Sequence, residues 1–138
     1  MLPFIDEAVD FVGKLKTQYP DFVKLLARHA TPAKALRHFA LGFWRDGRLD
    51  VATDLLRHSL AMQSDDPDTW RDFSFICYGL GDLPRSEAAA IQSLELAMDH
   101  AATWTHLANL YQQTTRPAEA AAAFRKAAAA SAGRVVCW

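Results

Sequence analysis

The residues of this 138-residue chain with reactive side chains are five histidines, two cysteines and a short acidic run, and their spacing supports no reaction. His29, His38, His58, His100 and His106 include no i, i+4 pair with carboxylate support, the arrangement that sets two imidazoles on one helix face around zinc. Cys77 has no second cysteine near it in the chain. Asp65, Asp66 and Asp68 cap a helix and do not form a calcium loop, because no glycine and closing glutamate follow at the required spacing. Gly79 and Gly81 fall at a hairpin turn and cradle no phosphate. No catalytic residue, cofactor or metal is therefore expected. The chemistry that remains is recognition.

Bulk properties narrow the partner. With 15 basic and 16 acidic residues the net charge is -1, which gives no electrostatic case for nucleic acid. A hydrophobic fraction of 51% excludes a disordered chain. Cys77 and Cys137 are too few for a disulfide framework, so a reducing compartment is the simpler reading. The opening Met-Leu-Pro-Phe-Ile-Asp-Glu lacks a basic region and meets acidic residues at once, so no secretory signal is expected. No apolar run approaches the ~18 residues that span a bilayer, so no membrane insertion is expected. A cytoplasmic, all-α protein follows from these bounds.

The elements that must position any binding residue are helices. Phe4, Ile5, Ala8, Phe11, Val12 and Leu15 recur at helical spacing over about residues 3–18, and Pro20 starts a short second helix ending near Ala30. From Ala33 a frame of 34 residues takes over. Leu36, Trp70 and Trp104 stand one period apart, each at the head of an apolar stripe. Leu36, Phe39, Ala40 and Phe43 are followed by Gly47 and a second helix over 50–64 with Val51, Ala52, Leu55, Leu56 and Leu60 inward. Trp70, Phe73, Ser74 and Cys77 lead through Gly79, Gly81 and Pro84 to Ala88, Ile91, Leu94 and Leu96. Trp104, Leu107, Ala108 and Tyr111 lead through Pro117 to an alanine-rich helix ending near Gly133. A fixed period of this length is the mark of hairpins that bury their apolar faces by stacking.

These residues resemble the tetratricopeptide repeat (TPR) family, whose unit runs roughly Trp, Leu, Gly, Tyr, then Ala, Phe, Ala and Pro. Trp104, Leu107, Tyr111, Ala120, Phe124 and Ala127 match it best, with Ala108 in the small-residue slot usually held by Gly. The second unit matches through Trp70, Phe73 and Gly81, with Ser74, Ser86 and Ser93 at small slots, and Cys77 and Ala90 where Tyr and Phe are usual. The first matches through Leu36, Phe39, Ala40, Phe43, Gly47, Ala52 and Leu56. All three lack the terminal Pro at its usual place. The resemblance implies an all-α, right-handed helical-hairpin repeat array with N-terminal capping helices: 1–32 as cap or degenerate repeat, 33–66, 67–100 and 101–133 as repeats, and 134–138 as a tail, in one domain.

What the resemblance implies about function is a non-catalytic protein- or peptide-binding scaffold whose first helices line a concave groove. The groove positions include Arg37, Leu41 and Trp44, then Arg71, Phe75 and Tyr78 one period later, then His106 and Asn109. Aromatic residues with arginine are what binding hot spots use. Family members that clamp the C-terminal carboxylate of heat-shock chaperones place Lys, Asn, Asn, Lys and Arg at set slots. Here those slots hold Arg37, Leu41, Asp72, Ala102 and His106, which disfavours that mode. Two alternatives stand beside the scaffold: a small bacterial secretion chaperone, and the N-terminal recruitment domain of a longer enzyme such as a glycosyltransferase. Residues 117–138, with Val136 and Trp138 as contacts, are expected to mediate homo-oligomer formation, because the last helix presents a flat alanine surface.

Overall fold

The structure is a computed structural model that describes the backbone of residues 3–133 and the side chains of residues 10–133. It is all-α, with eight helices and no strand among the described residues. The helices fall into two compact units, residues 1–65 and 66–138.

The first unit contains α1 (Pro3–Gln18), α2 (Pro20–Arg28), α3 (Pro32–Arg45) and α4 (Leu49–Met62). The Thr31 hydroxyl accepts the Lys34 amide at 3.2 Å and Pro32 follows it, a cap and first-turn pair that fixes where α3 begins. α3 and α4 form a hairpin whose core is Leu36, Ala40, Ala52, Leu55 and Leu56. α2 packs on one flank of α3, where the fully buried Phe22 lies 5.2 Å from Phe39 and Tyr19 meets Phe39 and Phe43 edge-on. α1 packs on α4, with Phe11 stacked on His58 at 3.8 Å.

The second unit contains α5 (Pro67–Gly79), α6 (Leu83–Leu96), α7 (Ala101–Gln113) and α8 (Pro117–Ser131), paired as hairpins α5–α6 and α7–α8. Asp66 caps α5 by accepting the Asp68 amide at 2.9 Å, and Asp82 caps α6 by accepting that of Arg85. α7 also packs on α6, so Ala90, Leu94, Trp104, Leu107, Leu110, Ala120 and Ala123 form one continuous core. Trp104 is 1% exposed and its indole N–H donates to the Met98 carbonyl at 2.7 Å. Trp70 differs from this expectation: it is only half-buried, meeting Phe73 edge-on.

The 34-residue period is visible in the hydrogen bonds. Arg48, Asp82 and Arg116 each donate an amide to the carbonyl five residues back, on Phe43, Cys77 and Tyr111. This is the bond that closes a helix through a left-handed residue just before the donor. That residue is Gly47, Gly81 and Thr115, at φ 81°, 81° and 55°. Ser59 donates to the Ala33 carbonyl at 2.7 Å, and Ser93 repeats the bond one period later to the Pro67 carbonyl at 2.8 Å. Small residues also meet where each hairpin crosses: Ala40 and Ala52, Ser74 and Ser86, Ala108 and Ala120, all buried. Without bulk at the crossing the helix axes approach closely.

Candidate peptide-binding surface

The flank of α5 that carries Arg71, Phe75 and Tyr78 faces α7, and the side chains across that line build the candidate surface. At its base is the crossing of α5 with α6. The Ser74 hydroxyl donates to the Ser86 carbonyl at 2.6 Å, and the Ser86 hydroxyl donates back to the Ser74 carbonyl at 2.7 Å. Each hydroxyl has one proton, and both are used. His106 Nε2, 2.9 Å from Ser74 Oγ and 3.2 Å from Ser86 Oγ, must therefore carry a proton and donate it. Burial pushes the His106 pKa down to about 4, so the ring is neutral. The imidazole is thus a fixed wall with no charge. It is no base for a serine nucleophile.

His106 in turn sets the rings beside it. Phe75 lies 4.4 Å from the imidazole, tilted, and Tyr78 lies 5.6 Å from it, edge-on. Phe75 is half-buried, whereas Tyr78 is 39% exposed and its hydroxyl accepts a hydrogen bond from the Gln113 amide. Asn109 and Gln113 on α7 are both exposed, and Gln113 is the one that meets these rings. Phe75, Tyr78, His106 and Gln113 are thus joined on one surface of the second unit, and Asn109 stands between His106 and Gln113 in α7. His106, expected among the groove positions, is a buried residue, 8% exposed. The missed signal was Ser74 and Ser86 at paired small slots: two hydroxyls at a crossing supply the polar lining that a buried imidazole requires.

Arg71, expected among the groove positions, is engaged by acceptors of its own unit. Its guanidinium donates from Nη1 to Asp68 at 3.1 Å and to His100 Nε2 at 2.8 Å, and its Nε lies 3.5 Å from Asp72. The side chain is 19% exposed, so it is held by internal acceptors and not presented as an anion receptor. Asp72 is buried beside it. In the first unit Arg37, Leu41 and Trp44 share one flank of α3 and are each half-buried, while Tyr19, Phe22 and His29 make ring contacts with Phe39, Phe43 and His38 of the same helix. Among the described residues no group of three or more His, Cys, Asp or Glu could hold a metal. Cys77 is buried, and burial raises its thiol to about 11, which removes it as a nucleophile. No helix among the described residues is long and apolar enough to cross a membrane.

No protein-family model matches the sequence, and no curated protein matches it. Solved structures do match in fold. MamA superposes with a TM-score of 0.75 at 12% identity, over 94% of this chain and 79% of that one. The fold is that of a tetratricopeptide repeat protein. The second TPR of Spaghetti (RPAP3), solved with the HSP90 peptide SRMEEVD, gives 0.67 at 12% identity over 70% of this chain and 89% of that one. The Yersinia enterocolitica type III secretion chaperone SycD, solved with a peptide of the translocator YopD, gives 0.68 at 13% identity over 70% and 74%.

The turn between α7 and α8 carries a second feature. An open groove beside the α7–α8 turn is lined by Gln112, Thr115, Arg116, Pro117, Ala120, Ala121 and Phe124. Ala90, one period before Phe124, is fully buried in the core that α7 completes, whereas Phe124 is 36% exposed. Val136 and Trp138, expected as self-association contacts, lie outside the described residues.

Proposed function

We propose that this protein is a non-catalytic scaffold that binds a protein or peptide segment, with the Phe75–Tyr78–His106 surface of the second unit as a contact region. The observation that carries the reading is the ring arrangement itself. An exposed tyrosine lies beside a half-buried phenylalanine, and both lie on an imidazole pinned by two serines, with the exposed amide of Gln113 bonded to the tyrosine hydroxyl. Rigid aromatic groups flanked by hydrogen-bonding amides are the usual anchors of a peptide interface. Two fold neighbours solved with peptides support it by analogy. Arg37, Leu41 and Trp44 remain proposed contacts of the first unit. The test is affinity purification with mass spectrometry from the native host, using wild type and Tyr78→Ala. A partner recovered with wild type and depleted about thirtyfold with the variant, as loss of an anchor worth ~2 kcal/mol implies, supports the reading. Equal recovery with both removes Tyr78 from it.

A second reading, a chaperone that holds a secreted protein, is favoured by the likeness to SycD with its bound translocator segment. Recovery of a single exported protein together with this chain would select it. The groove along Phe124 supports the self-association expected from the sequence, and sedimentation of wild type against Phe124→Glu measures it.

A further inference from the structure

The α5–α7 surface carries charge information that its aromatic floor alone does not. α5 and α7 together hold one arginine and two aspartates, with His106 neutral. Arg71, the one guanidinium among them, already serves Asp68, Asp72 and His100. An anion arriving at the surface would have to take that guanidinium from two carboxylates and an imidazole nitrogen. A cation meets the reverse. The Asp68 side chain is half exposed at the N-terminal end of α5, the formal sum of Asp68, Asp72 and Arg71 is negative, and the faces of Tyr78 and Phe75 attract positive charge through their quadrupoles.

From this balance, and resting on the peptide-binding reading above, we infer that the second unit selects a basic ligand segment: an apolar side chain on the Phe75–Tyr78 rings, flanked by lysine or arginine directed toward Asp68. The exposed amide of Asn109, and the amide atoms of Gln113 that its bond to Tyr78 leaves open, would bond the ligand backbone, which adds affinity without preference for charge. The preference is opposite to that of a surface built to receive an acidic tail. Its origin is the capture of Arg71 by its own helix and by His100.

The experiment uses the full chain and three synthetic peptides that share one Leu- and Phe-containing core, with lysine, glutamine or glutamate flanks, titrated by fluorescence anisotropy. The lysine-flanked peptide is expected to bind at least tenfold more tightly than the glutamate-flanked one at low salt, with the gap narrowing as salt rises. Tyr78→Ala should weaken all three, and Asp68→Asn should erase the difference between flanks, with circular dichroism spectra unchanged. Equal binding of the three peptides, or tighter binding of the glutamate form, overturns the charge preference while leaving peptide binding intact. Lysine-flanked binding that ignores Tyr78→Ala also overturns it. Failure of all three peptides to bind overturns the peptide-binding reading and this inference with it.

Discussion

Hairpins α5–α6 and α7–α8 cross at equivalent positions of the repeat, yet one crossing is built from Ser74 and Ser86 and the other from Ala108 and Ala120. The alanine crossing is continuous with the core of Trp104, Leu107 and Leu110, and it asks nothing of its neighbours but shape. The serine crossing brings two hydroxyls into a dry place, where each must find a partner. They satisfy each other's carbonyls and leave lone pairs for one buried N–H, which His106 supplies. Equal backbone geometry therefore gives one hairpin a stability role and the other a surface with fixed rings.

The largest expected effect lies on the alanine side. Trp104→Ala should cost roughly 3–5 kcal/mol, as loss of a large core aromatic does, and lower the melting temperature accordingly. Trp70→Ala, at a half-buried site one period earlier, should cost clearly less. Equal losses in thermal melts would mean that the two hairpins do not differ as described.

The next effect is a pH dependence on the serine side. His106 has a folded pKa of about 4 against an ordinary 6.5, so the unfolded chain takes up the proton first. Stability is then full above pH ~6.5 and declines as pH falls toward ~4, by at most about 3 kcal/mol from this group. Denaturant midpoints measured across that window should flatten in His106→Gln. An unchanged profile would remove His106 as the source.

Smaller again is the clasp itself. Ser74→Ala removes the nearer acceptor of the His106 N–H and a donor to the Ser86 carbonyl, which should cost about 1–3 kcal/mol. A double-mutant cycle with His106→Ala should show at least ~0.5 kcal/mol of coupling, whereas two independent sites would add. Ala108→Ser at the other crossing should destabilise, because it brings a hydroxyl into the apolar core of Trp104, Leu107 and Leu110.

The smallest effect concerns the turns. Thr115 holds the left-handed conformation that Gly47 and Gly81 adopt freely. A branched residue there costs ~1–2 kcal/mol, partly offset by the entropy glycine adds to the unfolded chain. Thr115→Gly should therefore gain about 0.5 kcal/mol, and Gly81→Ala should lose about 1 kcal/mol in the same denaturant titration.

Much of this fold was legible in the sequence, because apolar spacing and turn residues are local signals. Pro20, Thr31–Pro32, Asp66–Pro67 and Pro117 marked helix starts, and Leu36, Trp70 and Trp104 set the period. The candidate surface was only half legible. Phe75 and Tyr78 stood out as aromatic residues on a polar face, but the fate of Arg71 and His106 depended on residues 29 and 32 positions away, His100 and Ser74. A linear pattern shows which residue types share a helix face. It does not show which acceptor a guanidinium will reach, nor which hydroxyls will line a buried ring.

The most direct test of the whole account is chemical-shift mapping of the full chain with the lysine-flanked peptide. The expected result is movement of the Tyr78 ring and of the Asn109 and Gln113 side-chain amides, with Ala121 and Phe124 on α8 unmoved. Shifts confined to the α8 groove, or absent from the second unit altogether, would contradict it.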